Sequence, residues 1–154
     1  MFIHLTEEQE LIRKTVREFA EKEIAPASEK LWEEQQFPYE IWAKAGELGL
    51  IGLPYPEKYN GGGGDWLSFV IVLEELARID CAVANALMAN SSAASLINHY
   101  GTEEQKEKYL KPILTGEKIG AIGLTEPNAG SDAAAIQTSA VLDGSEWVIN
   151  GSKI

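Results

Sequence analysis

Apolar residues in the first three quarters of the chain recur at helical spacing. Thr6-Glu7-Glu8-Gln9 reads as a capping box, in which the Thr hydroxyl and the Gln side chain satisfy unpaired amides of a first turn. Ile12, Val16, Phe19 and Ala20 follow on one face, with Glu and Lys opposite, so the spacing predicts a helix that ends near Ala25-Pro26. Pro38 opens a second, short helix that closes at Gly49 and turns Ile41, Trp42, Ala45 and Leu48 inward. Between Leu53 and Asp65, prolines and four consecutive glycines predict a loop. Asp65 stands at an N-cap ahead of a mostly buried helix, Trp66 to Ile79, with Glu74, Glu75 and Arg78 marking its wet side. Ala82 to Tyr100, rich in Ala, Ser and Asn, predicts another helix ended by Gly101. A second capping box, Thr102-Glu103-Glu104-Gln105, starts a last helix that Pro112 and Gly116 limit.

The pattern changes near residue 117. Ile119 to Thr125 alternates apolar residues with glycine and alanine, Thr138 to Leu142 is β-prone, Asp143-Gly144 is a turn signal, and Trp147-Val148-Ile149 is aromatic and β-branched. The expected class is α+β: an all-α domain over 1–116 and the beginning of an antiparallel β domain over 117–154, with about three or four strands. So small a sheet has open edges, and the sequence reads as cut within its second domain.

Composition narrows the function. The 154 residues are 45% hydrophobic and carry 13 Lys plus Arg against 24 Asp plus Glu, a net charge of −11. That balance argues against nucleic acid, because no cation excess exists to displace condensed counterions. The opening MFIHLTEEQELIRK holds no export or organelle signal, and no apolar run approaches the roughly 20 residues that cross a bilayer. Cys81 is the sole cysteine, and with His4 and His99 it offers no metal-ligand spacing, so no metal is expected. A reducing compartment fits, with the bacterial cytoplasm expected and the mitochondrial matrix as the alternative.

Two glycine-rich stretches are candidates for chemistry. Gly61-Gly62-Gly63-Gly64 ahead of a helix start invites a phosphate-loop reading, but no Gly-Lys-Ser/Thr follows and position 66 is Trp, so a structural turn is expected. Gly123-Leu124-Thr125-Glu126-Pro127-Asn128-Ala129-Gly130-Ser131-Asp132 is more informative. It can present backbone amides and the hydroxyls of Thr125 and Ser131 to an anionic or heteroaromatic ligand, or it can be an ordinary polar turn. Glu126 and Asp132 also admit an acid/base reading whose geometry the sequence does not fix.

Leu124-Thr125-Glu126-Pro127-Asn128-Ala129-Gly130-Ser131-Asp132, followed by Trp147-Val148-Ile149-Asn150-Gly151-Ser152-Lys153-Ile154, resembles the acyl-CoA dehydrogenase family. Leu5-Thr6-Glu7-Glu8-Gln9, Leu48-Gly49-Leu50-Ile51-Gly52, Tyr59-Asn60-Gly61-Gly62, Glu74-Glu75-Leu76-Ala77 and Gly101-Thr102-Glu103-Glu104-Gln105-Lys106 extend the resemblance along the whole chain. Among the branches it is most similar to the short-chain, butyryl-CoA type.

The resemblance implies an all-α domain, a barrel-like β middle domain, and a C-terminal helical domain beyond Ile154. It implies FAD as cofactor, an acyl-CoA thioester as substrate, an electron-transfer flavoprotein as electron acceptor, and a homotetramer. A glutamate in the C-terminal domain removes the α-proton while the flavin takes the β-hydride, so no catalytic residue is expected within 1–154 and the piece alone is expected to be inactive. Carried over, Ile122, Gly123, Leu124, Thr125, Gly130 and Ser131 line the flavin, and Ser131 also meets the thioester's pantetheine arm. Glu126 shapes the loop rather than acting as base. Ala84, Met88 and Ser92, at i, i+4 and i+8, form part of the acyl-chain wall, or else simply pack a core. An acyl-CoA oxidase or nitroalkane-oxidising relative would use the same loop, and a helical interaction module with a β appendage is the non-enzymatic alternative.

Overall fold

The computed structural model describes residues 4–154; Met1 to Ile3, the first residues read for a leader, lie outside the described residues. Helix α1 (Glu7–Phe19) starts at the expected capping box: the Gln9 amide donates to Thr6 Oγ1 at 3.2 Å, and the Thr6 amide to Gln9 Oε1 at 3.0 Å. It does not stop at Ala25-Pro26. A π-helical turn (Ala20–Ile24) carries it into α2 (Ala25–Glu34), with Pro26 in the first turn. Proline lacks an amide and its ring presses on the carbonyl one turn back; a widened turn just before it moves that carbonyl aside. The same device recurs after α6 (Glu103–Gln105), where a π turn (Lys106–Leu110) precedes α7 (Lys111–Leu114) and Pro112. Both prolines are thus absorbed where they were expected to end or limit a helix.

Helices α3 (Tyr39–Glu47), α4 (Trp66–Ala77) and α5 (Cys81–Tyr100) complete the helical unit. The main core joins Val16, Ile24, Trp42, Ile51, Val72, Leu76 and Leu87. A smaller cluster joins Tyr55, Tyr59, Ala94, Leu110, Ile113 and Leu114. Because α4 packs on both α1 and α5, Glu75 is not on a wet face as expected. Its side chain is 2% exposed, gripped by Arg17 (2.7 and 2.9 Å) and Arg78 (2.8 Å). Hydrogen bonds from Arg17 outweigh desolvation, so the carboxyl is held below the ordinary carboxylate range.

The chain divides into two compact units, one through Ala121 and the other Ile122–Ile154. The composition break at 117 falls inside the first, because Lys118 donates its amide to the Pro112 carbonyl (2.9 Å) and Gly120 to Asn90 Oδ1 (2.7 Å). In the second unit, β1 (Ser139–Asp143) and β2 (Glu146–Asn150) pair antiparallel, with Val141 opposite Val148 and the turn at Gly144 (φ +61). The class is α+β, mostly helical with a small antiparallel sheet. Among the described residues the sheet has two strands, fewer than expected. Ile119 to Thr125 is not one of them. Its Gly120 amide bonds to a side chain, and its Thr125 carbonyl accepts the Ile154 amide at 2.9 Å, so no ladder forms. Among the described residues, no helix is long and apolar enough to cross a membrane and no group of His, Cys, Asp or Glu could hold a metal ion.

Candidate functional site

The two glycine-rich loops differ in what their amides do. Gly61, Gly62, Gly63 and Gly64 donate to the carbonyls of Pro56, Gly52, Tyr55 and Leu53 at 3.1, 3.0, 2.9 and 2.8 Å. A methyl group at Gly62 would stand 3.1 Å from the Leu53 backbone, so the glycines serve a close approach of two chain segments. With every amide of the run engaged, no donor remains for a phosphate. This is the structural turn expected of it.

The loop beginning at Ile122 is built differently. Glu126 and Ala129 exchange backbone hydrogen bonds (2.9 and 3.1 Å) around Pro127-Asn128, making a tight turn. The Glu126 side chain folds inward, leaving the residue 6% exposed. It accepts the Gln137 amide at 2.8 Å, the Thr138 amide at 3.0 Å and the Lys153 ammonium at 2.9 Å. Lys153 also donates to the Leu124 carbonyl at 3.0 Å. The two segments that carry the family resemblance therefore close on each other as one polar clasp. Gly151 is required in it, since a Cβ there would come within 2.8 Å of the Thr138 backbone.

With the Thr138 hydroxyl, the Gln137 amide and the Lys153 ammonium turned on it, the Glu126 carboxyl is lowered to about 2. The Thr138 hydroxyl makes no hydrogen bond of acceptable geometry, so the two amides and the ammonium carry the shift. A carboxylate so stabilised is a weak proton acceptor. Lys153, Gln137 and Thr138 were not singled out from sequence; the only signal was Lys153 lying within a resembling segment.

Clasping Glu126 inward turns its neighbours outward. Ile122 and Leu124 are 41% and 55% exposed, and Gly123, Thr125, Gly130 and Ser131 are exposed as well. The amides of Thr125, Gly130 and Ser131 make no hydrogen bond among the described residues. The loop thus presents apolar side chains, two hydroxyls and open amides on a fixed turn, a combination that fits a flat heteroaromatic group carrying polar edges and phosphates. On α5 the three expected wall residues part company. Ala84 is buried in the core, whereas Met88 is 49% exposed and Ser92 is exposed, its hydroxyl donating to the Met88 carbonyl at 2.9 Å. Four residues overshoot a helical turn by about 40°, so a row at i, i+4 and i+8 winds from the packed side to the open one.

A family model described as the acyl-CoA dehydrogenase N-terminal domain matches residues 6–117. The chain is 54% identical over 155 residues to the short-chain specific acyl-CoA dehydrogenase of Clostridium acetobutylicum, covering 100% of this chain and 41% of that protein. It superposes on butyryl-CoA dehydrogenase from Megasphaera elsdenii with a TM-score of 0.89 at 43% identity, over 100% of this chain and 42% of that one. A chain solved in work on the electron transferring flavoprotein of Acidaminococcus fermentans matches with a TM-score of 0.93 at 46% identity, over 100% and 41%. This chain spans about two fifths of the length of these relatives. On residues 6–117 and on these likenesses, the chain belongs to the acyl-CoA dehydrogenase family and contains its N-terminal domain.

Proposed function

We propose that the protein carrying this chain is a flavin-dependent, short-chain acyl-CoA dehydrogenase, and that Ile122 to Ser131 is the part of residues 1–154 that holds FAD. The observation that carries this reading is the set of open polar groups on Thr125, Gly130 and Ser131 beside exposed Ile122 and Leu124, all on a turn fixed by buried Glu126. Flavin, when bound, supplies the hydride acceptor for oxidation of an unactivated C–C bond.

The chain's own residues bind and orient. Thr125 offers its hydroxyl and amide to the polar edge of the ring, Ile122 and Leu124 cover its apolar face, and Gly130 and Ser131 offer amides to a phosphate. Met88 and Ser92 form part of the wall beside the acyl chain. Ala84 contributes from the core side by keeping α5 close to its neighbours. Glu126 is not the base that removes the α-proton, because its oxygens are occupied and its affinity for a proton is low. That base lies outside residues 1–154, so this piece alone does not turn over. The substrate is an acyl-CoA thioester, the electron acceptor an electron-transfer flavoprotein, and the assembled enzyme a homotetramer.

The test is a visible spectrum of the full-length protein and of the 154-residue chain, each mixed with FAD and passed through gel filtration. Flavin retained by the full-length protein and bleached by butyryl-CoA, with none retained by the short chain, is the expected result. A full-length protein that binds no flavin overturns the reading.

A further inference from the structure

Residues 115–120 leave the helical unit through a succession of bonds from different helices. Trp42 of α3 donates its indole N–H to the Gly116 carbonyl at 3.1 Å, and the Lys118 amide bonds to the Pro112 carbonyl of α7 at 2.9 Å. The last bond comes from Asn90 of α5, a side chain that is 0% exposed. Its Oδ1 accepts the Gly120 amide at 2.7 Å, while its Nδ2 donates to the Ile113 carbonyl at 3.4 Å. A carboxamide in an apolar interior is costly unless both ends are paired, and once paired it permits one arrangement only. Gly120 is fitted just as closely, since a methyl group there would stand 2.8 Å from Ala93 Cβ.

We propose that Asn90 is a positioning residue for the flavin loop: by holding the Gly120 amide it fixes where, and in which direction, the segment Ile122 to Ser131 begins. The inference rests on the flavin reading given above. Gly120 is five residues from Thr125, a reach of about 17 Å at full extension, so a loose origin would let the Thr125 hydroxyl wander by several ångströms. Asn90 also lies between Met88 and Ser92 in sequence, on the buried side of the same helix whose open side bears those residues. One turn of α5 therefore sets both the acyl wall and the root of the loop. A side chain here takes the place of the strand neighbour that Ile119 to Thr125 lacks.

Three variants of the full-length protein test this. Asn90→Leu keeps volume but removes the acceptor. Gly120→Ala pushes the same residue away from Ala93 while leaving Asn90 in place, and Ala93→Gly combined with Gly120→Ala returns the space. Amide hydrogen exchange over 117–125 and FAD affinity are measured for each, with the rate of flavin reduction by butyryl-CoA. Asn90→Leu and Gly120→Ala are expected to speed exchange at Gly120 and to weaken FAD or slow reduction at least tenfold, and the double variant to recover most of both. Should Asn90→Leu fail to fold, the Gly120→Ala pair decides alone. Faster exchange with FAD affinity and reduction rate unchanged overturns the inference and leaves Asn90 a packing residue. If the unsubstituted protein binds no flavin, the functional reading falls and this inference falls with it.

Discussion

The two units of the chain are held by different forces. In the helical unit, Val16, Ile24, Ile51, Val72 and Leu76 are essentially inaccessible and their burial supplies a large, non-directional stabilisation. Over 122–154 the buried residues among those described are Glu126 and Ala129, and both strands are exposed along their whole length. A two-stranded hairpin is marginal in water, so that unit owes its shape to the few directional bonds converging on Glu126. The contrast separates a scaffold from a binding surface: the first tolerates polar change but not cavities, and the second depends on charge and geometry more than on volume.

The widest separation between the units is expected on truncating a core side chain. Leu76→Ala should destabilise the helical unit by about 2–5 kcal/mol, read from denaturant unfolding followed by helical circular dichroism. A loss below about 1 kcal/mol would mean the site collapses around the cavity and the contrast is overdrawn. Next comes the one charge this scaffold has buried. Glu75→Gln should cost about 1.5–3 kcal/mol, because charge-assisted bonds to Arg17 and Arg78 become neutral ones while the partly exposed arginines rehydrate. As the folded Glu75 carboxyl is held low, its contribution is complete above the ordinary carboxylate range and fades as pH falls through its lowered value. The variant should therefore show a shallower loss of stability in acid, measured as unfolding midpoint against pH.

How far each unit could be read from sequence follows the same division. Caps are local and were legible: Thr6 with Gln9, Thr102 with Gln105, and Asp65 accepting the Ser68 amide all depend on neighbours within three residues. Pro26 and Pro112 were read as stops because the widened turns that accommodate them depend on how the helices dock. Glu75 looked solvated because helical periodicity cannot foresee an arginine arriving from α1, 58 residues away in sequence. The loop was located by its residue types, but that Glu126 would face inward onto Lys153, with Thr125 and Ser131 facing out, is a contact 27 residues apart. Asn90 gave no signal at all, since a lone Asn in an Ala- and Ser-rich helix is unremarkable until its two long-range partners are known.

A gentler test addresses the clasp. Between the ordinary Glu value of 4.5 and about 2, Glu126 should stay ionised and the clasp closed, and below about 2 protonation should release Lys153 and weaken the bonds from Gln137 and Thr138. The amide resonances of Gln137 and Thr138 should titrate together near that lower value, earlier losses being confined to the helical unit. In Glu126→Gln, exchange at those two amides should quicken while the helical unfolding midpoint stays put. A midpoint that moved with it would show the clasp to be part of the scaffold.

The smallest effect should come from the hairpin itself. Val141 and Val148 face each other across β1 and β2 and are 61% and 45% exposed, so each keeps much of its surface in water on folding. A cross-strand pair of this kind contributes about 0.2–1 kcal/mol, and an exposed substitution usually shifts stability by no more than about 0.5 kcal/mol. Val141→Ala should accordingly leave the unfolding midpoint of the 154-residue chain unchanged within error, whereas the same substitution in the full-length protein should be felt if that face is then covered. A loss above about 1 kcal/mol in the short chain would mean that the hairpin already unfolds cooperatively with the helices. The division into a packed scaffold and a clasped, open binding surface would then have to be given up.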